Sequence, residues 1–149
     1  MPSGTKLSGC VMSSSTERIR RVRTPTPQES YLHIFGAFAT EWSWWLKEEY
    51  LTEGWDGDFD SCPDDWTVRL TCENGNGGTT IHAVCHDAIM KACRKILRIS
   101  RKDEKEVHPN SPVARACRTF IWRPDEADFD ADTADIVLQY VVLGEHVFA

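Results

Sequence analysis

The densest group of possible metal ligands in the chain is the run His82-Ala83-Val84-Cys85-His86, which places two imidazoles and one thiol within five residues. Zinc takes four ligands of these types in a tetrahedral arrangement, and structural zinc sites usually carry paired knuckles. The chain has no Cys-x-x-Cys pair, and the spacing of His82 and His86 matches only one half of such a site. We therefore predict no cofactor. A zinc-binding structural or regulatory module that uses His82, Cys85 and His86 is kept as an alternative.

Two acidic runs, Asp56–Asp60 and Asp128–Asp132, place a carboxylate at every second position, as a calcium-binding loop does. An EF-hand loop also requires glycine at its sixth position and glutamate at its twelfth. The corresponding residues are Ser61 and Thr67 in the first run, and Thr133 and Gln139 in the second. Both runs fail at both positions, so they are interpreted as solvated loops with carboxylates near helix starts.

No motif for nucleophilic or phosphoryl-transfer chemistry is present in the sequence. Cys85, His86 and Asp87 have suitable types, but adjacent residues of one helical turn do not easily form a catalytic triad. The glycine-rich run Asn74–Gly78 lies between two predicted strands, so it indicates a hairpin turn and not a phosphate-binding loop. The chain is therefore predicted not to be an enzyme.

The segment from Glu29 to Asp65 has an unusual charge balance, with ten carboxylates and one base, Lys47. Aromatic residues are frequent in the same segment, and aromatic side chains often dominate binding energy at protein interfaces. An alternative is that the acidic stretches pair on folding with the basic stretch Lys91–Lys105. The preferred interpretation is a docking surface for a basic partner, formed by Trp44, Tyr50, Trp55, Asp56, Asp58, Phe59 and Asp60.

A long amphipathic helix is predicted over residues 27–53, and it leads into this acidic segment. Thr26 supplies an N-cap hydroxyl, Pro27 suits the first helical position, and Glu29 completes a capping box. Gly54 offers a left-handed stop. One apolar face follows from the spacing of Tyr31, Ile34, Phe35, Phe38, Trp42, Trp45 and Leu46. Such a helix would be ~40 Å long.

A β-hairpin and three further helices are predicted after the acidic segment. Residues 66–72 alternate with period two, Asn74–Gly78 forms the turn, and residues 79–84 return as the second strand. Helical spacing follows over residues 86–99, and Ser111-Pro112 begins the next helix. Residues 136–143 are predicted as a helix that ends at Gly144, with a strand as the alternative because of their β-branched residues.

Bulk composition places the chain among soluble, single-domain proteins. Its 149 residues are 41% hydrophobic and carry a net charge of −6, which disfavours non-specific binding to nucleic acid. No run of about 18 apolar residues or secretory signal is present, so a cytoplasmic location is predicted, with six cysteines as free thiols. The basic stretch from Lys91 brings no recognised nucleic-acid motif. Neither nucleic acid nor a membrane is expected as a partner.

The C-terminal stretch from Phe120 to Asp135, together with Leu143–Phe148, resembles small uncharacterised proteins of actinobacterial genomes and their phages. In this resemblance a hairpin precedes a helix like Ile89–Ile96, and the likeness covers roughly residues 64–149. The family carries no known activity, cofactor or catalytic residue. The resemblance implies a phage or mobile-element accessory protein that acts in the bacterial cytosol.

Together these features predict an α+β fold, with a basic disordered tail over residues 1–25 and a single domain over residues 26–149. The predicted function is that of a non-enzymatic protein-binding factor, a modulator or inhibitor of a host protein. A small virion or assembly protein, with the long helix as an oligomer contact, is a second alternative. The predicted core consists of Trp42, Trp45, Val68, Leu70, Ile89, Cys93, Leu97, Cys117, Phe120, Val137 and Val141.

Overall fold

The computed structural model describes residues 23–37 and 44–146, which form four α-helices and a three-stranded antiparallel sheet. Most of the predicted tail and the predicted core residue Trp42 lie outside the described residues. In chain order the elements are α1 (Pro27–Phe35), β1 (Trp45–Tyr50), β2 (Thr67–Glu73), β3 (Thr79–Cys85), α2 (His86–Lys102), α3 (Pro112–Trp122) and α4 (Ala131–Val142). Short 3-10 turns lie at Phe59–Ser61 and Pro124–Glu126.

The predicted start of α1 is present. The Thr26 hydroxyl accepts from the Glu29 N–H, and the Glu29 carboxylate accepts from the Thr26 N–H, which completes the capping box. The Arg23 guanidinium binds Glu29 and also Asp125, so it ties the start of α1 to the loop before α4. This cation lowers the pKa of Glu29 to about 2.

The long helix predicted over residues 27–53 is wrong, because α1 ends at Phe35 and residues 45–50 form strand β1. Glycine is a poor helix former, and Gly36 stands at the C-cap of α1. Aromatic residues such as Trp45 and Tyr50 favour strands, and hydrogen bonding to β2 stabilises residues 45–50 as a strand. Leu46, predicted to line the buried helix face, is 62% exposed.

Strand β2 lies at the centre of the sheet and pairs with β1 and β3. The predicted hairpin is present as β2 and β3, with Thr67 opposite Cys85 and Glu73 opposite Thr79. On one face, Val68 and Leu70 are fully buried. The other face is open to solvent, with Ile81 62% exposed and Arg69 in an ion pair with Glu49 across the strands.

One hydrophobic core joins the inner face of the sheet to the four helices. Of the predicted core residues, Val68, Leu70, Ile89, Cys93, Cys117, Phe120 and Val137 are buried, and Trp45, Leu97 and Val141 are partly buried against them. The five cysteines of the described part are free thiols. Burial raises the pKa of Cys117, so this thiol behaves as a small apolar core residue.

A buried polar network anchors the start of β1 to α4. The Trp44 indole N–H donates to the Asp135 carboxylate, and the Gln139 amide donates to the other Asp135 oxygen at 2.7 Å. All three side chains are at least 90% buried. A buried carboxylate requires such donors, so Trp44 has a structural role at this position.

Candidate protein-docking site

The acidic loop, residues 52–65, connects the neighbouring antiparallel strands β1 and β2. The Thr52 hydroxyl closes its base, donating to the Asp65 carbonyl at 3.1 Å and accepting from the Thr67 N–H at 3.0 Å. The Leu51 N–H also donates to the Thr67 carbonyl. Both ends of the loop are therefore fixed at the ends of the paired strands β1 and β2.

An aromatic cluster centred on Tyr31 of α1 lies beneath the acidic loop. The Tyr31 ring centroid is 4.8 Å from that of Trp55, 4.9 Å from that of Phe59 and 5.1 Å from that of Trp66. Trp55 and Trp66 are buried, whereas Phe59 is 44% exposed. Aromatic pairs at these separations stabilise beyond the area that they bury. The cluster gives the loop a rigid base and leaves one ring at the surface.

Buried donors hold the backbone of the acidic loop in place. The Tyr31 hydroxyl donates to the Gly57 carbonyl at 2.7 Å, and the Trp55 indole N–H donates to the Asp58 carbonyl at 3.0 Å. From α1, the Gln28 amide reaches the Cys62 carbonyl and the Asp64 carboxylate. Desolvation raises the pKa of Tyr31, so its hydroxyl stays protonated and remains a donor near neutral pH.

The acidic loop carries six exposed carboxylates and no basic residue: Glu53, Asp56, Asp58, Asp60, Asp64 and Asp65. Two of them fix the turn itself, because Asp56 accepts from the Asp58 N–H and Asp58 caps the 3-10 turn at Phe59–Ser61. Within the described residues, none of the six forms an ion pair with a lysine or arginine side chain. Their negative potential is therefore directed at solvent.

Tyr50 connects the acidic loop to the end of β1. Its ring meets Trp55 edge-on at 5.3 Å and lies directly against Gly57, which has a positive φ of 94°. Burial and the neighbouring Glu48 carboxylate raise the Tyr50 pKa to about 12. Tyr50 is 37% exposed and the adjoining Leu51 is 44% exposed. The loop therefore has accessible apolar surface beside its carboxylates.

The structure brings together five of the seven residues predicted for the docking surface: Tyr50, Asp56, Asp58, Phe59 and Asp60. Trp55 lies beneath them, and Trp44 lies elsewhere, against α4. Sequence reasoning missed the roles of Tyr31, Gln28 and Leu51. No local signal could have found the Tyr31 contact, because its hydroxyl bonds a carbonyl 26 positions along the chain.

The metal candidates His82, Cys85 and His86 do not converge. Side chains alternate along a strand, so His82 and Cys85 point to opposite faces of the sheet. The His82 ring bonds the Thr80 hydroxyl, and the His86 ring bonds the buried Ser30 hydroxyl at 2.8 Å. Across residues 23–37 and 44–146, no group of three histidine, cysteine or acidic side chains is placed to hold a metal ion.

His86 makes the stability of the fold depend on pH. Burial lowers its pKa below the ordinary 6.5, so the unfolded chain takes up a proton before the folded chain does. The free energy of unfolding should therefore fall as the pH drops below about 6.5, while Glu29 begins to contribute only near its ordinary pKa of 4.5 and below. Urea denaturation from about pH 8 to about pH 5 measures the slope.

The variant His86→Gln should flatten this slope, and His33→Gln should flatten it further, because burial also lowers the His33 pKa. Substituting the exposed His146 with glutamine is the matched control for the loss of one imidazole. An unchanged slope in His86→Gln would show that His86 does not contribute.

A concave region with a volume of about 290 Å³ lies between α3 and α4. Its lining includes Glu106, His108, Asp130 and Tyr140. The Tyr140 hydroxyl donates to Glu106 at 3.0 Å, and Asp130 caps α4 through the Thr133 N–H at 2.8 Å. These polar groups already serve the fold, so the acidic loop is the stronger candidate site.

Comparisons of the chain with protein-family models, with curated proteins and with solved structures found no match. Among the helices of the described residues, none has the length and apolar character needed to cross a membrane. Any function must be inferred from the residues themselves.

Proposed function

We propose that this chain is a non-enzymatic binding protein, and that its acidic loop docks on a basic surface of another protein. The proposal depends on one loop that combines six exposed carboxylates, the exposed Phe59 ring and a backbone fixed by buried donors, with the exposed Tyr50 ring of β1 beside it.

The rigidity of the acidic loop supports binding because little conformational entropy remains to be lost on association. Tyr31, Trp55 and Gln28 hold its carbonyls, and Thr52 closes its base. A loop that served only as a connection between two adjacent strands would need two to five residues. This much longer loop is instead packed and bonded along its length, as functional loops often are.

Charge and apolar surface have separate tasks in the proposed contact. Carboxylates without basic neighbours speed the encounter with a positive surface and align the two proteins. Phe59, Tyr50 and Leu51 can then be desolvated against the partner, where aromatic anchors contribute most of the binding energy. The partner should therefore present lysines or arginines around an apolar pocket.

The resemblance inferred for residues 64–149, to small uncharacterised proteins of actinobacterial genomes and their phages, suggests the biological setting that we propose for this contact. In that setting the partner is a host protein, and the chain modulates or inhibits it in the bacterial cytosol. Both alternatives lose support: the zinc-binding module because its three candidate ligands do not converge, and the assembly protein because the long helix that it required ends at Phe35.

The test reverses three carboxylates of the acidic loop that form no side-chain hydrogen bond in the described residues, Glu53, Asp60 and Asp65, to lysine. Immobilised wild-type and variant proteins are incubated with bacterial lysate, and retained proteins are quantified by mass spectrometry. We expect the partner to be retained by the wild type at low salt, and to be lost both at high salt and from the triple variant.

The matched control reverses Glu73, Glu104 and Asp128, three exposed carboxylates outside the loop, and produces the same change in net charge. It should retain the partner. Equal retention by the two triple variants and the wild type would show that the acidic loop is not the docking site.

A further inference from the structure

The exposed face of α2 is strongly basic. Lys91, Arg94, Arg98, Arg101 and Lys102 are all exposed, and their spacing of three or four residues places them on one side of the helix. We call these five residues the basic face of α2. It extends for about 16 Å along the helix axis at 1.5 Å per residue.

The basic face of α2 is not neutralised by the rest of the described chain. Elsewhere Arg23, Lys47, Arg69 and Arg123 each form an ion pair with a carboxylate. By contrast, none of the five residues of the basic face has such a partner within the described residues. Asp87 and Asp103 flank the two ends of the row, and the Asp103 carboxylate accepts from the Lys105 N–H.

The neighbouring helix α3 brings no negative charge to this region. It packs against α2, it contains no acidic residue, and it exposes Arg115 and Arg118. The net charge of −6 is a sum over the whole chain, so it does not describe the local charge of the basic face or of the acidic loop. A polyanion that meets the basic face of α2 encounters a positive local potential.

We infer that the basic face of α2 binds the phosphate backbone of duplex nucleic acid without reading its sequence. A row of cations on a rigid helix suits phosphates, because neutralising them releases condensed counterions. An acidic protein and a single-stranded nucleic acid fit this face less well than a duplex does. No large hydrophobic side chain of α2 is exposed, so the face offers no anchor for an acidic protein and no ring for stacking single-stranded bases.

An anionic membrane is also a poorer match for this face. Helices that bind membrane surfaces insert an apolar side into the lipid. On the apolar side of α2, Ile89, Cys93 and Ile96 are fully buried in the core. The basic face of α2 shares no residue with the acidic loop, so binding of duplex nucleic acid and docking of the loop are independent and can be disproved separately.

The test measures fluorescence anisotropy of a labelled DNA duplex of about 20 base pairs, titrated with the full chain at several salt concentrations. We expect saturable binding at about 50 mM salt, with a slope of about −4 for log K against log salt concentration. The double variant R94A/R98A should bind at least tenfold more weakly, and its slope should be about −2. Alanine favours helices, so α2 should remain folded, which circular dichroism checks.

The matched control K47A/R69A removes the same number of charges from β1 and β2 and should bind within about twofold of the wild type. Equal weakening by both double variants would show a response to net charge alone and overturn the proposal. Absence of binding at about 25 mM salt would also overturn it. Sedimentation without DNA gives a further test. If the wild type self-associates and only R94A/R98A abolishes this association, the face binds a second copy of the chain, and the proposal is overturned.

Discussion

Replacing Gly57 with alanine is expected to destabilise the protein by about 2–3 kcal/mol and to remove partner binding by the acidic loop. Gly57 has a φ of 94°, which side chains with a Cβ rarely adopt. A Cβ at this position would lie 2.4 Å from the Tyr50 ring, which Trp55 and Glu48 hold in place. Urea denaturation measures the loss, and retention of the lysate partner measures the functional effect.

Gly54→Ala is the matched control, because Gly54 also has a positive φ but a Cβ there would meet nothing within 4 Å. It should cost about 1 kcal/mol, from backbone strain alone. In the double variant Gly57→Ala with Tyr50→Ala, the cost should be less than the sum of the single losses. Equal losses for Gly57→Ala and Gly54→Ala would show that the contact with Tyr50 does not matter.

Replacing Trp66 with alanine is expected to cost about 3–5 kcal/mol, the largest loss of stability for any substitution considered for this protein. Trp66 is 1% exposed and packs on Tyr31 and Phe35 of α1. Its indole N–H donates to the Pro27 carbonyl at 2.7 Å. The indole therefore fixes α1 to the start of β2. Its removal should also loosen the acidic loop, because the loop rests on Tyr31.

Trp66→Phe separates packing from hydrogen bonding at this position. Phenylalanine retains much of the ring contact but cannot donate to Pro27, so the expected loss is about 1–3 kcal/mol. Chemical denaturation of both variants gives the comparison. A loss below about 1 kcal/mol for Trp66→Ala would contradict the central position assigned to this ring.

The elements that the sequence predicts well are those with local signals. Residues 66–84 alternate with period two on each side of the turn at Asn74–Gly78, and they form β2 and β3. Ser111 and Pro112 begin α3 as the cap-then-proline pattern predicts. Helix α4 spans Ala131–Val142, because the N-cap at Asp130 and tertiary packing outweigh the β-branched residues that favoured a strand.

The prediction of a long helix was wrong because it used only the local spacing of apolar residues. The competing strand β1 depends on pairing with β2, which is distant in the sequence. Apolar residues from Tyr31 to Trp45 fit a helical period, but β1 forms through pairing of Tyr50 with Val68 and Trp45 with Cys72. A periodicity over one segment contains no information about a strand that returns after a loop. Gly54 has the positive φ expected of it, although it lies in a turn after β1 and does not end a helix.

For the candidate site, the sequence indicated which segment is acidic and aromatic, but it did not indicate which of the aromatic rings are exposed. The charge ratio pointed to residues 52–65, and Phe59 and the aspartates of this loop are exposed, with Tyr50 of β1 beside them. The sequence could not distinguish Trp55, which is buried, from Phe59, which is 44% exposed. That distinction depends on the position of Tyr31 in α1, which only the folded arrangement determines.

The most direct test of the central claim places a photo-crosslinking benzophenone side chain at Phe59 and, in a separate protein, at Ile81 on the open face of the sheet. Both positions are exposed and apolar in the structure. We expect Phe59 to crosslink one defined basic protein in bacterial lysate and high salt to suppress the product, whereas Ile81 should give none. A product that forms from Ile81 and not from Phe59 would contradict the assignment of the acidic loop as the docking surface.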